Sequence, residues 1–295
     1  MSLSSPSGPQ ASPEPGLAGL AGRAPLTVFL LLAFGLGWPL LVIPAVAGLP
    51  FEPFLLGLVF LALLGSSLLV SRWADGPGAV RRLLTRTLVW RFGIGRWAVI
   101  VLGVPVLTLM LAAATGTLEA SGRSWFAAVG WYLFDILIFG ALVLNVWEET
   151  AWGGFVQTRL MARHGLLVGS LLTAPLFAAI HIPLYFGTGW TWSQVGVGLA
   201  VLFGVAPFYR YLLGMHLLDT GGSVLAIAVQ HASWNTAGRM DEVRGEWQAI
   251  AAVGLLTALV ALHRRFWRTE SRPIGRAAEK AAAAQWFGAP ERTRS

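Results

Sequence analysis

Five residues stand where their chemistry is out of place: Glu148, Glu149, His181, His231 and Asn235, each inside a stretch of otherwise apolar sequence. An ionisable group at the centre of a membrane helix costs about 2.5–3.5 kcal/mol on insertion scales, so it is seldom there without a role. Two adjacent carboxylates, in Asn145-Val-Trp-Glu148-Glu149-Thr-Ala-Trp152, are the strongest anomaly. Neighbours on a helix project about 100° apart, so one carboxylate can face a cavity while the other holds a neighbouring helix. Carboxylates withdrawn from water suit general-base work near neutral pH. An interfacial pair reaching back toward water explains the same two residues.

His181 lies in Phe177-Ala-Ala-Ile-His181-Ile-Pro183, where the proline loosens the helix end. His231 and Asn235 sit four apart in His231-Ala-Ser-Trp-Asn235, on one helix face. An imidazole can donate, accept or ligate a metal, and an amide can steady an oxyanion. Structural hydrogen bonds between helices account for each residue taken alone. Together, two carboxylates, two imidazoles and an amide form a kit for the attack of water on an amide. A divalent metal such as zinc is compatible with that set. The HExxH spacing is absent, and a chain without cysteine has neither disulfides nor thiol chemistry.

The elements that must position these groups are membrane helices. The 295 residues are 56% hydrophobic and 12% charged, against about 25% charged in a soluble domain. Eight apolar segments can be marked, at about 25–47, 53–71, 97–115, 127–158, 166–186, 194–216, 222–238 and 247–265. None alternates with a period of two, and backbone in hydrocarbon must satisfy itself, so the reading is all-α: a polytopic bundle of about eight transmembrane helices with a buried Glu/His site. For the Glu pair to reach the depth of His231, the fourth helix must run well past Glu149, toward Arg159. Asp135 then falls nearer the opposite face, and His164, His216 and His263 fall near span ends.

The net charge of +7 sits between the spans, as in membrane anchoring, so nucleic acid is not an expected partner. Arg72, Arg81, Arg82, Arg86, Arg91 and Arg96 follow the second span; Arg159, Arg163 and Arg210 are assigned to later connections on the same side. Arg123, Arg239 and Arg244 fall opposite, diluted by Asp241, Glu242 and Glu246. The positive-inside rule then predicts a multi-pass cell-membrane protein with both termini cytoplasmic. Residues 1–24 read as a disordered cytoplasmic lead-in, 25–267 as the membrane domain and 268–295 as a basic cytoplasmic tail. Residues 79–92 mix Arg with apolar side chains as a helix lying in the headgroup region does, and the Ala-rich stretch 276–286 reads as another surface helix.

The runs EETAW at 148–152, FAAIH at 177–181 and HASWN at 231–235, in that order, resemble the EExxxR, FxxxH and HxxxN motifs of the CPBP family. That family comprises CAAX prenyl endoproteases and bacteriocin-processing or immunity proteins, also called Abi. The resemblance implies an intramembrane endopeptidase acting on a membrane-associated, possibly prenylated, peptide or protein. In it Glu148 activates water with help from His181. His231 and Asn235 hold the oxyanion, and Glu149 supports the site or helps hold a metal. A chamber reached from the cytoplasm and contact with membrane lipids are part of the same expectation. One position departs from the motif: its Arg falls on Gly153, and Arg159 cannot take the same face. A catalytically degenerate immunity or scaffold protein, or a proton-coupled transporter, is the alternative that this departure favours.

Overall fold

The computed structural model describes residues 16–120, 122–186, 189–267 and 275–288. Its helices are α1 (Leu17–Arg23), α2 (Pro25–Ala47), α3 (Glu52–Asp75), α4 (Ala79–Thr85), α5 (Ile94–Ala114) and α6 (Trp125–His164). They continue with α7 (Leu166–Ile180), α8 (Trp192–Asp219), α9 (Val224–Ala237), α10 (Trp247–Phe266) and α11 (Arg276–Gln285). Among the described residues the order is helical throughout, apart from a single bridge between Leu118 and Val243.

Among the described residues seven helices are long and apolar enough to cross a membrane: α2, α3, α5, α6, α7 with its continuation to Phe186, α8 and α10. The eighth expected segment, 222–238, becomes the 14-residue α9. At 1.5 Å per residue it reaches about 21 Å, less than the roughly 30 Å of hydrocarbon in a bilayer. Nearly every α9 side chain is buried within the protein, so it is an inner helix packed by its neighbours, not a lipid-facing span.

Small residues set the closeness of that packing, as in membrane bundles generally. A Cβ on Gly140 would lie 2.5 Å from Ala232 Cβ, which fixes how near α9 comes to α6. Gly214 similarly lets α8 approach Gln157 and Ser170. Helix starts are capped by side chains that occupy the first free N–H groups: Ser124 for α6, Thr191 with Gln194 in a reciprocal box for α8, and Ser223 for α9. Gly165, at φ 83°, turns the chain sharply from α6 into α7.

The 40-residue α6 is as long as the depth argument requires. It is wound wide on either side of the Glu pair: Val146 N–H donates to Ala141 O and Thr158 N–H to Gly153 O, each five residues back. Wide turns of this kind re-aim the side chains between them and recur at functional sites.

The basic segments are more docked than a headgroup-lying helix would be. In the 79–92 region α4 is short, and Arg86 is buried, donating to Gly154 O at 2.9 Å and Gly222 O at 2.8 Å. Burial, then repulsion from Arg159, draws its pKa down to about 9, so it stays cationic at neutral pH. Residues 276–286 do form a helix, α11, held against the end of α6 through Glu279 to Leu166 N–H at 3.0 Å and Arg276 to His164 O at 3.2 Å. Of the expected lead-in, residues 1–15 lie outside the described residues and Leu17–Arg23 is a short helix with Ala21 fully buried. In the tail, 268–274 and 289–295 also lie outside them.

Candidate active site

The two carboxylates diverge, each to its own imidazole. Glu148 Oε1 lies 3.4 Å from His181 Nε2, and Glu149 Oε1 lies 3.0 Å from His231 Nδ1. Glu149 is wholly inaccessible and Glu148 is 8% exposed, which excludes the interfacial-pair reading. The helical offset of adjacent residues aims the first at His181, which lines the chamber, and the second at His231 and the protein interior.

His181 ends α7, where Nδ1 donates to Phe177 O at 2.8 Å. That bond fixes the tautomer and turns Nε2 toward Glu148. At 3.4 Å the contact is longer than a direct hydrogen bond, and Glu148 Oε1 accepts no hydrogen bond from the described residues. Its lone pairs are therefore uncommitted. Phe177 packs between the two imidazoles, with ring centroids 4.8 Å from His181 and 5.8 Å from His231. Tyr209 stands over His231 at 5.3 Å. These rings hold both imidazoles in place without taking their polar edges.

A chamber of about 310 Å³ opens over this pair, with Phe177, His181 and His231 at its base and Asn235, Trp234 and Trp190 toward its mouth. Asn235 is exposed there, one helical turn beyond His231. Asp135 stands apart from the chamber, accepting from Thr236 Oγ1 at 2.6 Å and pairing with Arg239 at 3.1 Å.

The structure adds two residues to this set. Arg210, fully buried on α8, donates to both oxygens of Glu149 at 2.9 and 3.0 Å. Gln157 accepts from Arg210 Nε at 3.0 Å and donates to Arg210 O at 2.7 Å, which locks the guanidinium. The expected place of Arg210 in a connection is thus corrected: it lies inside the bundle. The available signal was an arginine within the apolar segment 194–216, as anomalous there as the glutamates. His216 lies near the end of α8, as expected, and is buried there.

A side chain at Gly153 is crowded, since a Cβ would lie 2.1 Å from Ile227 Cδ1, which would have to move aside, and 2.9 Å from Glu149 Oε2. Arg210 instead approaches Glu149 from the next helix, on the side that Gly153 leaves open, with Nη2 3.6 Å from that Cβ position. Gly153→Arg is accordingly expected to destabilise the bundle by about 1–3 kcal/mol through overpacking, read as a lower unfolding temperature in detergent, and not to raise activity.

A zinc site requires three or more converging protein ligands. Among the described residues no group of three His, Cys, Asp or Glu side chains is placed to hold a metal ion. Glu149, the residue free to assist, already has both oxygens on Arg210 and one on His231. The donor set of the described residues does not fit a metal.

Residues 130–237 match the family model described as type II CAAX prenyl endopeptidase, Rce1-like. The matched stretch contains Glu148, Glu149, His181, His231 and Asn235, with the helices α7, α8 and α9 that set them around the chamber. No curated protein matches the chain. Over that stretch, which carries all three motifs, the chain is similar to the CAAX-type membrane endopeptidases.

Proposed function

We propose that the protein hydrolyses an internal peptide bond of a membrane-associated substrate by glutamate-activated water. The observation that carries this reading is the split pairing: Glu148 with His181 and Glu149 with His231, both imidazoles lining the chamber. Glu148 takes a proton from water, and the hydroxide adds to the carbonyl carbon. His181, its tautomer set by Phe177 O, shares that proton and passes it to the leaving nitrogen as the C–N bond breaks. His231 gives its Nδ1–H to Glu149, and with a second proton on Nε2 it donates to the oxyanion together with the Asn235 amide. Glu149 and Arg210 position His231 without touching substrate.

Gly153 was the feature that favoured a degenerate site. Arg210 removes that support, because a buried guanidinium is present on the carboxylate by another route. A transporter needs a path between the faces. Beneath the site Trp152, Gln157, Tyr209 and Arg210 are all fully buried, which supports a closed chamber instead.

The test is incubation of purified protein in detergent with a pool of prenylated and plain membrane peptides, with products read by mass spectrometry. Cleavage is expected to persist after dialysis against a chelator, with less than about a twofold change. Loss of activity on chelation with recovery on added zinc contradicts the glutamate mechanism.

A further inference from the structure

We propose that the chamber opens at the face opposite the arginine-rich one, so that the substrate is a peptide segment presented on the non-cytoplasmic side of the membrane. This rests on the peptidase reading for its substrate, although not for its geometry. It reverses the cytoplasmic access that the family likeness implies.

The direction of each helix fixes the mouth. α7 rises from Leu166, beside the tail helix α11, and His181 lies beyond its far end. α9 rises from Ser223, tied to Val89 O at 2.6 Å, and reaches His231 after eight residues, about 12 Å up at 1.5 Å per residue. The residues that widen the chamber, Leu184, Tyr185, Trp190, Trp234 and Asn235, all lie further along those paths. Toward the other end the way is shut: Phe155, Trp152, Tyr209 and Arg210 have no accessible surface. Below them α11 covers the end of α6, with Trp286 under Arg86 at 4.9 Å.

Charge separates the two faces. The closed end carries Arg23, Arg81, Arg82, Arg91, Arg163 and Arg265 at the ends of α1, α4, α6 and α10 and in the segment after α4. The open end carries Glu52, Glu119, Asp241, Glu242 and Glu246. Its arginines are largely neutralised, Arg244 by Glu119, Arg239 by Asp135 and Arg123 by Asp241. Positive charge is retained on the cytoplasmic side, which leaves the mouth outside. Among the described residues the chamber lining contains no Arg or Lys to hold a free C-terminal carboxylate. Its aromatic rim suits an apolar segment at the membrane surface, cleaved internally.

A chain without cysteine makes each introduced thiol unique. Trp190→Cys at the mouth, Asp241→Cys on the same face and Arg81→Cys on the closed face are to be labelled with a membrane-impermeant maleimide in intact cells. Trp190→Cys and Asp241→Cys are expected to label at least about tenfold more than Arg81→Cys, which labels only after permeabilisation. Labelling of Trp190→Cys only after permeabilisation, or not at all, overturns the proposal. Labelling reads no cleavage, so its failure leaves the peptidase reading standing, and loss of peptidase activity leaves the sidedness standing.

Discussion

Arg210→Met is expected to lower stability by about 3–5 kcal/mol, the cost of stranding one partner of a buried ion pair, and to lower turnover roughly 10²-fold through a misplaced imidazole. The stability loss arises because Glu149 would keep a hydrogen bond from His231 alone in a site with no water access. The turnover loss arises because His231 is aimed by that same carboxylate. The two effects separate in the double variant Glu149→Gln with Arg210→Met, which removes both charges together. Most of the stability is expected to return while turnover stays low, since the charged acceptor for His231 Nδ1–H is gone. Arg210→Lys keeps one charge without the two-pronged grip and belongs between the extremes. Thermal unfolding in detergent and peptide cleavage, measured on the same four proteins, check this. Full recovery of turnover in the double variant would reduce Arg210 to a scaffold residue.

Glu148→Gln is expected to keep the fold and cut cleavage by about 10²–10⁴-fold, the range typical of a lost general base. The amide has the size of the carboxylate, and no hydrogen bond to Glu148 Oε1 is forfeited, so unfolding temperature should move little. His181→Ala should lose less than Glu148→Gln, because it leaves the base and removes its proton partner. The order of the two losses distinguishes Glu148 as base from His181 as base.

The parts of the site that were legible in the sequence are those whose presence in an apolar helix is costly. Glu148, Glu149, His181 and His231 are anomalous by type alone, and their order along the chain matches the family motifs. Arg210 is anomalous in the same way, yet arginine also marks the ends of membrane spans, and that use concealed it. Its true role depends on Gln157 and Glu149, 53 and 61 residues away, which no local pattern reports. The seven long helices were legible from composition. The burial of the short α9 was not, because a lipid-facing helix and one enclosed by its neighbours are equally apolar and only packing tells them apart. Arg86 has the sequence setting of a surface charge, whereas the carbonyls of Gly154 and Gly222, on distant segments, draw it inside. Access to the chamber depends on which end of the helix bundle is plugged, a property of three-dimensional packing alone.

The most direct measurement is cleavage of one identified membrane peptide in H₂¹⁸O by purified wild type and by Glu148→Gln. The account predicts a single ¹⁸O in the new C-terminal carboxylate with wild type and, with the folded Glu148→Gln protein, a rate at least about a hundredfold lower. Equal rates from the two proteins, or a product carrying no ¹⁸O, would contradict it.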